Sequence, residues 1–154
     1  MPLKRHPALQ DYSREHHDEL LFAWKIRQGL KKNIFPQRII DYCNFHLKEL
    51  TLPHMEKEEK YILPKLPDSD AGKQKILSDH AALRQMTQQF SSVYPGMNQL
   101  LFDFAEALEK HVRYEEREFF PRVQDLFDEQ TLNLMQPAEG KDNECAVWDD
   151  RFWE

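Results

Sequence analysis

Two short segments of this chain carry the same set of potential ligands. His54-Met-Glu-Lys-Glu58-Glu-Lys-Tyr-Ile-Leu-Pro64 and His111-Val-Arg-Tyr-Glu115-Glu-Arg-Glu-Phe-Phe-Pro121 both read H-x-x-x-E-E-x-x-apolar-apolar-P, and the His, Glu and Pro of one lie 57 residues from those of the other. Each segment follows an acidic residue and a histidine earlier in the chain, Glu15-His16 in the first case and Asp79-His80 in the second. On a helix, positions i and i+4 lie one turn apart on one face. A His and a Glu so placed can grip one ion, and an imidazole nitrogen with a carboxylate oxygen suits iron, zinc or manganese. A carboxylate has two oxygens, so each Glu could also bridge two ions. The chain therefore reads as two helical hairpins, each giving one His and then one His-x-x-x-Glu.

Those residues need helices to carry them, and four stretches have helical periodicity between turn signals. The first spans about 7–31, with Leu9, Tyr12, Leu20, Ala23, Ile26 and Leu30 in register. Asn33 offers a cap, and Pro36 suits the first turn of a second helix that runs to about Leu66. Pro53 falls inside that helix and predicts a kink. A turn and cap at 67–70 open a third helix, about 69–92, which Tyr94-Pro95-Gly96 ends. A fourth spans about 97–126, bent near its end by Pro121, and a short helix follows at 131–135. Short connections between long helices predict an all-α, antiparallel up-down-up-down four-helix bundle over 1–136. Residues 137–154 form a C-terminal tail whose aromatics, Trp148 to Trp153, are expected to pack back on it.

At about 100° per residue, His16 falls in the middle of the apolar stripe of the first helix, and His17 lies about 100° away. His54 and Glu58 sit within the stripe of Ile40, Cys43, Leu47 and Tyr61, and His80 is close to the Ile76/Leu83 face. Glu115 lies between Phe104 and Phe119, with His111 near the edge. Two carboxylates are thus aimed into an apolar core. Unpaired, each costs several kcal/mol or shifts its pKa until neutral. A pair of metal dications removes the conflict.

Composition narrows the function classes. The chain has 154 residues, a net charge of −6 and only 4 glycines, which suits one helical domain. Acidity makes a poor match to a phosphate backbone, so nucleic acid is not an expected partner. No apolar run approaches the ~20 residues of a membrane span, and the basic segment 1–10 lacks the apolar core of a signal peptide. A cytoplasmic location is expected, with Cys43 and Cys145 reduced.

With Glu15-His16, His54-x-x-x-Glu58-Glu59 and Leu63-Pro64, Asp79-His80, and His111-x-x-x-Glu115-Glu116 and Phe120-Pro121 in this order, the chain resembles the hemerythrin-like, or HHE cation-binding, family over about 8–126. The resemblance implies a four-helix bundle with a non-haem di-iron centre, bridged by an oxo or hydroxo group and by two carboxylates. By matching position, Glu58 and Glu115 are the bridges, and His16, His54, His80 and His111 the terminal ligands. Iron is favoured over manganese or zinc. Oxygen-carrying hemerythrins have a fifth histidine one turn after that of the third helix, where this chain has Arg84. The four-His, two-Glu set looks more like di-iron proteins of iron–sulfur repair and nitric oxide handling. The expected partner is a small molecule such as dioxygen, nitric oxide or hydrogen peroxide, bound or turned over. The alternative is a non-catalytic sensor of iron or oxygen, or an oxygen-binding protein.

The remaining candidates read less sharply. His17 and His46 flank the stripe, either as surface or as groups adding to the site, and His6 is expected in solvent. Glu59 and Glu116 follow the bridging positions by one residue and are expected to turn away as surface charges. Tyr61, three residues past Glu58, is expected inward, to pack or to donate toward a bound species. Cys43 reads as a small apolar filler.

Overall fold

The computed structural model describes residues 4–91, 93–138 and 147–154, and these are helical with no strand among them. Four long runs carry the fold. The first is α1 (Pro7–Lys31). The second, over 36–65, is built from α2 (Pro36–His46), a π turn at Leu47–Thr51, α3 (Leu52–Lys57), a π turn at Glu58–Ile62 and a 3₁₀ turn at Leu63–Lys65. The third is α4 (Ala71–Thr87), shorter than the predicted 69–92 because 88–91 form turns. The fourth, over 97–126, is α5 (Met97–Tyr114), a π turn at Glu115–Phe119 and α6 (Phe120–Leu126). The short α7 (Glu129–Leu134) follows.

Helix ends follow local chemistry, with two departures from expectation. His6 is not in solvent: its Nδ1 accepts the Ala8 N–H as the cap of α1, and its Nε2 lies 2.9 Å from Glu129. Asn33 does not cap the second run. It takes a φ of 56°, which asparagine tolerates, in the turn after α1, and Phe35 precedes Pro36 without a side-chain cap. Asp70 caps α4 through the Lys73 N–H.

The prolines show why a repeat of this length holds together. Proline lacks an N–H, and its ring clashes with the carbonyl four residues back. Before each internal proline the preceding N–H instead bonds five residues back: Leu52 to Leu47, Leu63 to Glu58, and Phe120 to Glu115. A wider turn of this kind carries the helix past the proline, so the kinks expected at Pro53 and Pro121 are resolved as π turns. In the two repeats that wider turn opens at Glu58 and at Glu115.

Two apolar clusters fill the core. One gathers Phe22, Ile26, Ile40, Cys43, Leu47, Leu83, Phe104 and Leu108 with others. The other gathers Leu9, Tyr12, Ile62, Ile76, Phe119 and Phe120 with others. Along every run the histidines and glutamates of interest fall between a member of one cluster and a member of the other.

The described part of the tail packs on the first cluster. Phe152 is buried, and the Tyr42 ring lies 5.2–6.0 Å from those of Trp148, Phe152 and Trp153. Arg38 donates twice to Asp150, and Lys25 Nζ sits 4.0 Å over the Trp153 ring. A Cβ at Gly29 would meet Phe152 and Ile39 at 2.8 Å, so glycine here lets the tail dock. Cys145 lies outside the described residues. Among those described, no helix is long and apolar enough to cross a membrane.

Candidate metal centre

All six residues singled out by spacing are buried, each no more than 3% exposed. The first run delivers His16, the second His54 and Glu58 one turn apart, the third His80, and the fourth His111 and Glu115. Every Nε2 turns inward. His16 Nε2 is 3.3 Å from Glu115 Oε1 and 4.0 Å from Glu58 Oε2. His54 and His80 Nε2 both lie 3.3 Å from Glu58 Oε1, and His111 Nε2 is 2.7 Å from Glu115 Oε1. The rings pair as well, with centroids 4.7 Å apart for His16 and His54 and 4.9 Å for His80 and His111.

The donor atoms fall into two groups, His16, His54, Glu58 and Glu115, and then Glu58, His80, His111 and Glu115. Within each group the ligand atoms lie within 4.8 Å of one another, and the two groups share both glutamates. The four Nε2 atoms and the four oxygens of Glu58 and Glu115 are buried and make no hydrogen bond. Eight orphaned donors are hard to keep in a native core unless a cation satisfies them. Nitrogen and carboxylate oxygen in these proportions fit a first-row transition metal. The residues present thus fit a metal pair.

The outer nitrogens show what spacing alone missed. His16 Nδ1 lies 2.6 Å from Glu116 Oε1, and His80 Nδ1 lies 2.6 Å from Glu59 Oε2. His111 Nδ1 lies 3.0 Å from Asp79, and His54 Nδ1 faces Glu15 at 3.5 Å. Glu59 and Glu116, expected as surface charges, are therefore half-buried partners of the histidines. One residue past a ligand turns a side chain about 100°, which here points it at the next helix and not at solvent. The acid of each run serves the histidine of the next, and Glu116 on the fourth serves His16 on the first, closing a ring. A carboxylate on Nδ1 holds the proton there and leaves the Nε2 lone pair for a metal. Each acid is anchored in turn by a cation: Glu116 by Arg5, Glu15 by Lys57, Glu59 by Arg84, and Asp79 by Lys75. Arg84 donates to both oxygens of Glu59.

In the metal-free protein, protons do part of this balancing. Burial opposes charge on His16, but the carboxylates of Glu115, 3.3 Å from Nε2, and of Glu116, 2.6 Å from Nδ1, outweigh it and raise its pKa to about 9. For His111, burial is likewise overcome by the Glu115 charge and by Asp79, to about 10. Burial works against ionised Glu115, yet His111 and His16 hold its pKa well below the usual carboxylate range.

Glu19 was not anticipated. It is 1% exposed, its Oε1 has no partner, and burial pushes its pKa up. The signal was present: 19 lies three residues after His16 and four before Ala23, on the apolar stripe. Tyr61, expected inward, is only half-buried, and the buried tyrosine beside the site is Tyr12. The Tyr12 ring meets His54 edge-on at 5.9 Å, and its hydroxyl donates to the Met135 carbonyl. His17 is exposed. His46 stands apart, stacked 4.0 Å from Phe22, with Nδ1 3.1 Å from the Thr51 hydroxyl.

Residues 8–123 match the family model described as the hemerythrin HHE cation-binding domain. No curated protein and no solved structure matches the chain. That match spans most of the sequence and contains every residue of both donor groups, so the chain belongs to the hemerythrin HHE cation-binding family, and metal-ion binding is the property its buried His/Glu clusters serve.

Proposed function

We propose that this protein holds two iron ions, with His16 and His54 on one, His80 and His111 on the other, and Glu58 and Glu115 shared between them. The observation that carries this is the sharing of both carboxylates by two buried donor groups whose eight inward atoms lack any hydrogen bond. Iron, when bound, supplies redox chemistry toward a small diatomic or peroxide. The protein's own part is to hold the proton on Nδ1 of His16, His80 and His111 with Glu116, Glu59 and Asp79, to face Nδ1 of His54 with Glu15, to keep each Nε2 free, and to exclude water with an apolar cluster on either side. Two imidazoles and two shared carboxylates per ion leave room for an exogenous ligand. With Arg84 engaged on Glu59 in place of a fifth histidine, turnover or sensing of dioxygen, nitric oxide or peroxide is favoured over reversible oxygen carriage.

The scaffold follows as an antiparallel, up-down-up-down four-helix arrangement over 1–136, with 137–154 as its tail. Paired contacts that run in opposite order along neighbouring runs support it. Tyr12 meets His54 while Phe22 meets His46, and Glu59 meets His80 while Asn44 meets Phe90. Asp70 meets Arg122 while Phe90 meets Phe104, and Arg5 meets Glu116 while Arg27 meets Glu106.

The test is iron content joined to an ultraviolet–visible spectrum after anaerobic reconstitution. About two irons per chain with near-ultraviolet charge-transfer bands are expected. Protein that takes up no metal under these conditions refutes the proposal.

A further inference from the structure

The ligand frame has an internal two-fold correspondence. Adding 64 to positions of the first run, and 57 to those of the second, gives the third and fourth. Glu15 answers to Asp79, His16 to His80, His54 to His111, Glu58 to Glu115 and Glu59 to Glu116. Residue chemistry matches at every one of these. One turn away, toward the first apolar cluster, the match fails. Glu19 answers to Leu83, and Thr51 answers to Leu108.

All four residues are buried. Leu83 and Leu108 belong to the apolar cluster. Their counterparts make one half of the same layer polar: Glu19 has an oxygen without a partner, and the Thr51 hydroxyl faces His46. An unpaired buried carboxyl is costly, and the other half shows that a leucine can fill the equivalent place. Nor is Glu19 needed to orient His16, His80 or His111, whose Nδ1 atoms lie 2.6–3.0 Å from outer carboxylates, and the outer nitrogen of His54 faces Glu15 at 3.5 Å. Its strongest charged neighbours are His54 and then His16, the two imidazoles of one donor group.

We propose that Glu19 is a ligand-binding residue that makes the two metal positions inequivalent, its carboxyl hydrogen-bonding a small anion or peroxide bound at the position held by His16 and His54. It rests on the metal-pair reading above. In the half lined by Leu83 and Leu108 an incoming ligand finds no such partner, so binding is directed to one side of the pair.

Azide titration of the oxidised, iron-loaded protein tests this, using the wild type, Glu19→Leu and Glu19→Gln. Glu19→Leu copies the Leu83 half. It is expected to keep both irons, to be no less heat-stable than the wild type when metal-free, and to bind azide about tenfold more weakly or worse. Glu19→Gln keeps an N–H donor and is expected to stay within about threefold of the wild type. Unchanged azide affinity in Glu19→Leu with two irons present overturns the proposal. So does loss of an iron from that variant, which would make Glu19 a ligand, or a fall in its metal-free stability, which would make it structural. Wild-type protein that fails to take up two irons instead refutes the metal-pair reading.

Discussion

Glu116→Ala gives a sharp test of the outer carboxylates. Glu116 Oε1 lies 2.6 Å from His16 Nδ1, and its Oε2 lies 2.8 Å from an Arg5 nitrogen. A short hydrogen bond to a charged acceptor contributes about 1.5–3 kcal/mol. The Glu116 side chain is 26% exposed, so water can replace part of what is lost, and the lower end of that range applies. Metal affinity at the position held by His16 and His54 should therefore fall about 10- to 30-fold, because the imidazole is both less basic and less fixed in tautomer. Glu116→Gln keeps an oxygen acceptor but not its charge and should fall between the wild type and Ala. Glu118→Ala is the control, exposed on the same π turn. The assay is iron retention against a graded chelator at fixed pH. If Glu116→Ala retains iron as tightly as Glu118→Ala, the outer ring has no influence on the metal and the reasoning fails.

Glu58→Ala and Glu115→Ala should each abolish binding of the second iron, and retention of both by either variant refutes the shared-carboxylate assignment. Loading with iron at about 100 times its dissociation constant should stabilise the fold by about 2.7 kcal/mol for each site filled, read as a rise in melting temperature over the metal-free form. The metal-free protein should be most stable near pH 6.5. His16 and His111 have folded pKa values raised to about 9 and about 10, so their contribution is present below the unfolded value near 6.5 and fades as pH rises through 9–10. Burial lowers the His46 pKa to about 3, so neutral His46 favours folding above about 6.5 and loses that effect as pH falls toward 3. Denaturant titrations across pH check both limbs, and His46→Phe should flatten only the acid one. Phe152→Ala should cost about 3–5 kcal/mol in such titrations if the tail is integral to the first apolar cluster, and an unchanged midpoint would show it is not.

Most of the frame was legible because the ligands and the apolar stripe share one helical period. The 57-residue repeat marks His54, Glu58, His111 and Glu115 at once, and facing selects His16 over the exposed His17. Facing failed where the neighbour of a helix matters more than its own axis. Glu59 and Glu116 point sideways, which one helix taken alone cannot distinguish from outward. The π turns are not legible in the sequence, because a proline announces a missing hydrogen bond but not how the chain relieves it. Glu19 does not stand out among 27 acidic residues because it belongs to neither repeat, although it lies on the apolar stripe.

The polar layer has a consequence for how the molecule comes apart. It lies across the core and leaves two apolar clusters joined mainly through the four helical runs. Cations in this layer should tie the two ends into one cooperative unit. Without them, each end should behave as a foldon of its own, and amide hydrogen exchange should resolve two protection levels where the loaded protein would have one. The smaller cluster, around Leu9, Ile62 and Phe119, should open first. Iron would then govern the proteolytic lifetime of the chain by deciding whether that end can unfold by itself.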